Sequence, residues 1–152
     1  MEKFRYSMQN ILNVKEKMEA QEKLLFQIAT ENVREEEKKL DALFKKKAGY
    51  EELLRESMSE KLDVNEMRTY RNAISNTEDR IKTQRGALRI AEQKLEVQRK
   101  KLEDAIKERK VHEVLKENAF EAYKREYERE EQKAVDELVS FQYSEKQNRS
   151  EA

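Results

Sequence analysis

The hydrophobic residues of the chain fall into two seven-residue rhythms separated by one short polar break. Met67, Ile74, Ile81, Leu88, Leu95 and Leu102 lie seven apart, the spacing that holds one narrow helical stripe against a partner helix. An earlier stripe, Phe4, Ile11, Val14, Met18, Gln21, Leu25 and Ile28, advances by seven, three and four and also keeps to one side of a helix. Val33, Leu40, Leu43, Lys47, Tyr50 and Leu54 resume the pattern one place later, which predicts a stutter that locally unwinds the supercoil. Acid-first pairs four residues apart, Glu19 with Lys23, Glu35 with Lys39 and Asp41 with Lys45, flank the stripes and support the helix.

The rhythm lapses over Ser57 to Asn65, where Ser57, Ser59, Asp63 and Asn65 cluster. Asp63 followed by Glu66 has capping-box spacing and predicts a new helix from about Val64. Basic residues before Gly49 mark a competing turn over Lys45 to Tyr50, but Tyr50, Leu53, Leu54 and Met58 carry a helical stripe through it. The expected fold is therefore all-α, an antiparallel two-helix coiled-coil hairpin with a longer second helix. A single rod covers residues 1–143, with helix one over about 2–58, a turn at about 59–63 and helix two over about 64–141. A polar tail, 144–152, is expected to be disordered. The helices would span about 85 Å and 115 Å, so Phe4 should lie near Phe120 and the stretch beyond it should overhang.

Composition narrows the function more than the fold. Charged residues make up 43% of the chain and hydrophobic ones 36%, enough for a thin seam and too little for a thick core. Proline is absent and glycine occurs only at Gly49 and Gly86, so little resists helix. Basic and acidic residues balance at 33 each, which speaks against nucleic-acid binding. With no cysteine there is no thiolate or disulfide chemistry. Neither a signal peptide nor a membrane span is legible, so no direct membrane insertion is expected and the reading is cytoplasmic.

No active site emerges, so no enzyme activity, cofactor or metal is expected. His112, the one histidine, reads as a solvent-facing or seam-edge residue. Lys45, Lys46 and Lys47 read as a solvated face. Gln84, Gln98 and Asn32 stand at or beside seam positions, where polar groups fix register. Aromatic residues sort toward the two ends of the hairpin: Phe4, Tyr6, Phe120, Tyr123, Tyr127, Phe141 and Tyr143 near the termini, Phe44, Tyr50 and Tyr70 toward the turn. Aromatic enrichment marks contact surfaces, so two contact regions joined by a plain spacer are expected.

Three stretches, MEKFRYSMQNILNVKEKMEAQEK, MRTYRNAISNTEDRIKTQ and above all LEDAIKERKVHEVLKENAFEAYKREYEREEQKAVDEL, resemble the flagellar export protein family FliJ over nearly the whole chain. The most specific match is Glu131 and Gln132 followed by Asp136 and Glu137. The resemblance implies an antiparallel coiled coil similar to the central stalk of rotary ATPases, monomeric alone and peripheral to the inner membrane at the flagellar base. It implies an end that enters the hexameric export ATPase FliI and promotes its assembly and activity, a turn-proximal half that touches the export gate protein FlhA, and an escort role for export chaperones. By position, Phe4, Arg5, Tyr6, Tyr123 and Tyr127 would fall on the ATPase-contacting end and Leu43, Tyr50, Tyr70 and Ile74 on the gate-contacting half. The alternatives are the equivalent stalk of a virulence secretion system and a homodimeric tethering coiled coil.

Overall fold

In the computed structural model, which describes residues 2–60 and 63–151, two helices pack against each other: α1, Gln9–Glu60, and α2, Val64–Glu151. No strand occurs among the described residues. The start of α2 follows the capping signal. Asp63 Oδ1 accepts the amide of Asn65 at 3.0 Å, and the Asp63 carbonyl accepts that of Met67 at 3.0 Å, which satisfies amides that the first turn leaves open. Of the expected turn at 59–63, Ser59 and Glu60 belong to α1, Asp63 precedes α2, and residues 61 and 62 lie outside the described residues. Gly49 does not end α1, which runs through it without a positive φ.

Contacts divide the chain into two compact units where the sequence suggested one: Met1–Glu19 with Ala105–Ala152, and Ala20–Asp104. In the second unit the helices are tied at two points. Gln84 Nε2 donates to the Glu36 carboxylate and, at 3.1 Å, to the Glu36 carbonyl. Gln98 Nε2 donates to the Glu22 carboxylate in the same way. Stepping two heptads back along α1, from Glu36 to Glu22, corresponds to two heptads forward along α2, from Gln84 to Gln98. The helices are therefore antiparallel and stay in step.

The buried and half-buried positions of α1 correct the expected register. Along the seam they run Gln9, Leu12, Lys15, Glu19, Glu22, Phe26, Ala29, Val33, Glu36, Leu40, Leu43, Lys47, Tyr50, Leu54 and Ser57, steps of three and four with no stutter, and Thr30 is half-buried beside them. The early stripe that the sequence suggested as the seam instead faces solvent: Ile11, Val14, Met18, Leu25 and Ile28 are 40–53% exposed. The physical reason lies in α2, which places Arg109, Gln98 and Gln84 where Glu19, Glu22 and Glu36 need partners. The seven-spaced leucines and isoleucines of α2 do form its seam, with Ile81 5% and Thr77 4% exposed. Thr77 satisfies its hydroxyl on the Ala73 carbonyl at 2.7 Å.

Both outer helix ends also differ from expectation. Helix one begins at Gln9 and not near residue 2, because the Glu2 carbonyl that a helix would use accepts the Tyr123 hydroxyl at 2.7 Å. Helix two continues to Glu151 through the residues expected to form a disordered tail. No proline or glycine occurs in it after Gly86, and pairs such as Gln132 with Asp136 at 3.1 Å and Arg149 with Glu145 at 3.4 Å support its exposed turns.

Candidate partner-binding regions

The first region lies within the unit that holds both termini. Phe120, Tyr123 and Tyr127 are spaced three and four apart and so share one face of α2. Phe4 packs edge-on against Phe120 at 5.2 Å and against Tyr123 at 5.3 Å, and Tyr123 reaches Tyr127 at 6.3 Å. Each such ring pair adds about 0.5–1.5 kcal/mol beyond burial, which explains why a non-helical segment stays on the helix. The Tyr6 ring is half-buried, with its hydroxyl oxygen enclosed and without a hydrogen-bond partner. Arg5 points outward. Residues 2–7 and the α2 side chains Ala119, Tyr123 and Glu126 border an open cleft of about 520 Å³. The Glu131 carboxylate, hydrogen-bonded to the Tyr127 hydroxyl, raises its pKa.

Four of the five residues expected at the ATPase-contacting end thus gather around one aromatic cluster, with Arg5 on its rim. The expected proximity of Phe4 and Phe120 is present. From Lys124 to Glu151 every α2 residue is exposed, including Val135, Leu138, Val139, Phe141 and Tyr143 at 53–71%. An isolated apolar side chain on a surface needs no explanation, but five on one uncovered helical segment form a surface suited to contact.

Elsewhere in this unit, Lys15 pairs with Glu108 at 2.8 Å, holding the Glu108 carboxyl below the usual range through their hydrogen bond. Arg109 bridges Glu19 and Glu113. His112 is half-buried at the seam edge, with Nδ1 enclosed and unpartnered.

The second region lies within the other unit. Leu43, Tyr50, Tyr70 and Ile74 all occupy half-buried seam positions, so each shows a partner an edge and not a face. Tyr70 donates to Glu66 at 3.3 Å, and its pKa is raised chiefly by packing that strips water from the hydroxyl, then by the Glu66 charge. Leu43 borders a cleft of about 380 Å³ with Asp79, Arg80, Thr83 and Gln84. Sequence reasoning gave no role to Arg85, whose guanidinium sits 5.5 Å from the Phe44 ring centre while Phe44 remains 40% exposed. That cation–π pair joins the two helices, and a heptad count carries no signal for it. Lys45 is held by Asp41 at 3.0 Å and Lys47, half-buried at the seam, by Glu78 at 3.3 Å.

Among the described residues no cluster of histidine, cysteine and carboxylate suited to a metal occurs, and no helix is long and apolar enough to cross a membrane. The family described as Flagellar FliJ protein matches residues 4–148. No curated protein and no solved structure matches the chain.

Proposed function

Since the chain belongs to the Flagellar FliJ protein family, which makes it a component of flagellar protein export, we propose that it acts by contact, as a stalk-like activator of the export ATPase FliI. In this reading the unit with both termini enters the hexameric ring, promotes its assembly and favours particular subunits by touching them differently in different nucleotide states. The other unit contacts the cytoplasmic part of the export gate FlhA through the edges of Leu43, Tyr50, Tyr70 and Ile74. The protein works in the cytoplasm, peripheral to the inner membrane, and escorts export chaperones. It is monomeric until it meets these partners.

The observation that carries the reading is the junction at Tyr123. On one side Phe4, Phe120, Tyr123 and Tyr127 fix the N-terminal segment to α2; on the other, α2 continues to Glu151 with nothing covering it. A braced helix with an uncovered apolar and charged extension can present contacts to a ring without donating a group to its chemistry.

The test is ATP hydrolysis and ring assembly by the purified export ATPase with and without this protein. Wild type should raise both, and Phe4→Ala with Tyr6→Ala should weaken the effect while helicity is kept. Absence of stimulation by wild type, under conditions where the ATPase is active, refutes the proposal. Capture of the gate's cytoplasmic part, weakened by Tyr70→Ala but not by the Phe4 and Tyr6 changes, tests the second contact.

A further inference from the structure

Phe120, Tyr127, Ala134 and Phe141 stand seven apart on α2. The first part of that row, with Tyr123 beside it, seats Phe4; beyond Tyr123 the row runs on with every residue exposed. In steps of four and three the uncovered stripe reads Tyr127, Glu131, Ala134, Leu138 and Phe141, one side of a helix. Leu138 is 59% and Phe141 67% exposed. A row that seats one segment and then continues in the same register offers a seat to a second.

Charge on this stretch is sorted by face. From Tyr127 to Gln142 the stripe and its two edges carry Glu128, Glu130, Glu131 and Glu137 and no base, whereas Arg129 and Lys133 stand on the back with Asp136. Lys124 precedes the stretch, and Arg149, which follows it, is held by Glu145 at 3.4 Å. Arg129 reaches back to Glu126 at 4.0 Å and Glu131 is engaged by the Tyr127 hydroxyl, but among the described residues Glu128, Glu130 and Glu137 form no ion pair. Interleaved acids and bases would stabilise an isolated helix better, so helix stability does not account for the sorting. Burying the stripe against any partner brings Glu130 and Glu137 to the rim of the contact. A neutral rim would strip water from them without return, an acidic rim or an anionic membrane would repel them, and the same face of a second copy would set acid against acid. We infer that this face docks in an apolar-floored groove of a partner protein whose rim is basic. Naming the export ATPase as that partner rests on the proposed stalk function; the basic rim goes beyond it.

The test measures binding of the full chain, labelled for fluorescence anisotropy, to the purified export ATPase. Wild type should bind more weakly as salt rises. Glu130→Gln with Glu137→Gln should weaken binding about tenfold and flatten the salt dependence. Glutamine keeps the helix, so circular dichroism should stay unchanged. Arg129→Gln with Lys133→Gln, on the back, should bind as wild type does. Equal binding by wild type and the front variant, or an equal loss in both variants, overturns the inference and leaves the stalk function standing. If wild type does not bind the ATPase at all, the stalk function fails, and a synthetic helix of about three heptads with leucine in its stripe decides the inference. With lysine beside the leucines it should bind the full chain at least about tenfold tighter than with glutamate there, and equal or absent binding overturns the inference. So does wild-type self-association in sedimentation that the front variant dissociates, which would give the face to a second copy.

Discussion

Arg109 of α2 donates through Nε to the Glu19 carboxylate of α1, and the same guanidinium holds Glu113, one turn along its own helix, at 2.8 Å. Glu19 is 6% exposed, although it sits at a position where a coiled coil ordinarily carries leucine. Removing one partner of such a pair costs more than replacing both, because the survivor keeps its desolvation without its cross-helix partner. Arg109→Leu should lower the melting temperature by several degrees, whereas Glu19→Leu with Arg109→Leu should recover most of the loss. A double-mutant cycle by thermal melting measures the coupling.

The register correction makes a direct prediction. Leu12→Ala or Ile81→Ala, at positions 2% and 5% exposed, should each cost about 2–4 kcal/mol. Val14→Ser, 53% exposed, should stay within about 0.5 kcal/mol. Urea unfolding decides it. A large loss at Val14 with a small one at Leu12 would restore the stripe that the sequence suggested.

Acid should loosen the second unit at a defined point. The hydrogen bond from Gln84 holds the Glu36 carboxyl below its ordinary 4.5. A group whose pKa is lowered by folding adds stability above its unfolded value and loses that contribution as pH falls through the folded one. The melting temperature should therefore fall as pH drops below about 4.5, and Gln84→Leu, which lacks the bond, should show a shallower fall. Equal acid slopes in the two proteins would show that the bond does not contribute.

The N-terminal segment is held by rings and one hydrogen bond, so it should be releasable without unfolding the helices. Tyr123→Leu removes the contact with Phe4 and the bond to the Glu2 carbonyl. Trypsin cleavage after Arg5 should accelerate by about tenfold, with helicity elsewhere unchanged.

The uncovered part of α2 should behave as a separable element. Val135→Pro breaks a helical hydrogen bond in a stretch exposed along its whole length. It should reduce ellipticity while leaving the melting midpoint in place. If this extension touches the ATPase ring as proposed, the same change should also abolish stimulation.

Two helices, the break between them, the Asp63 cap and the α2 seam are all written in the sequence. Seven-residue spacing, capping chemistry and the lack of proline are local signals that need no partner to be read. So was the proximity of Phe4 and Phe120, which follows from doubling the chain back near residue 60. The site residues proposed from family likeness were legible as types and regions, but not as edges or faces. The sequence could not say which of two adjacent stripes on α1 is buried, because Ile11, Met18 and Leu25 make a better apolar heptad than Leu12, Glu19 and Phe26. Only the packed structure decides that, since the acids at Glu19, Glu22 and Glu36 become acceptable seam residues when Arg109, Gln98 and Gln84 arrive opposite them. Hydrophobic pattern measures a helix alone, whereas burial is settled by the pair, and the richer stripe is left facing outward.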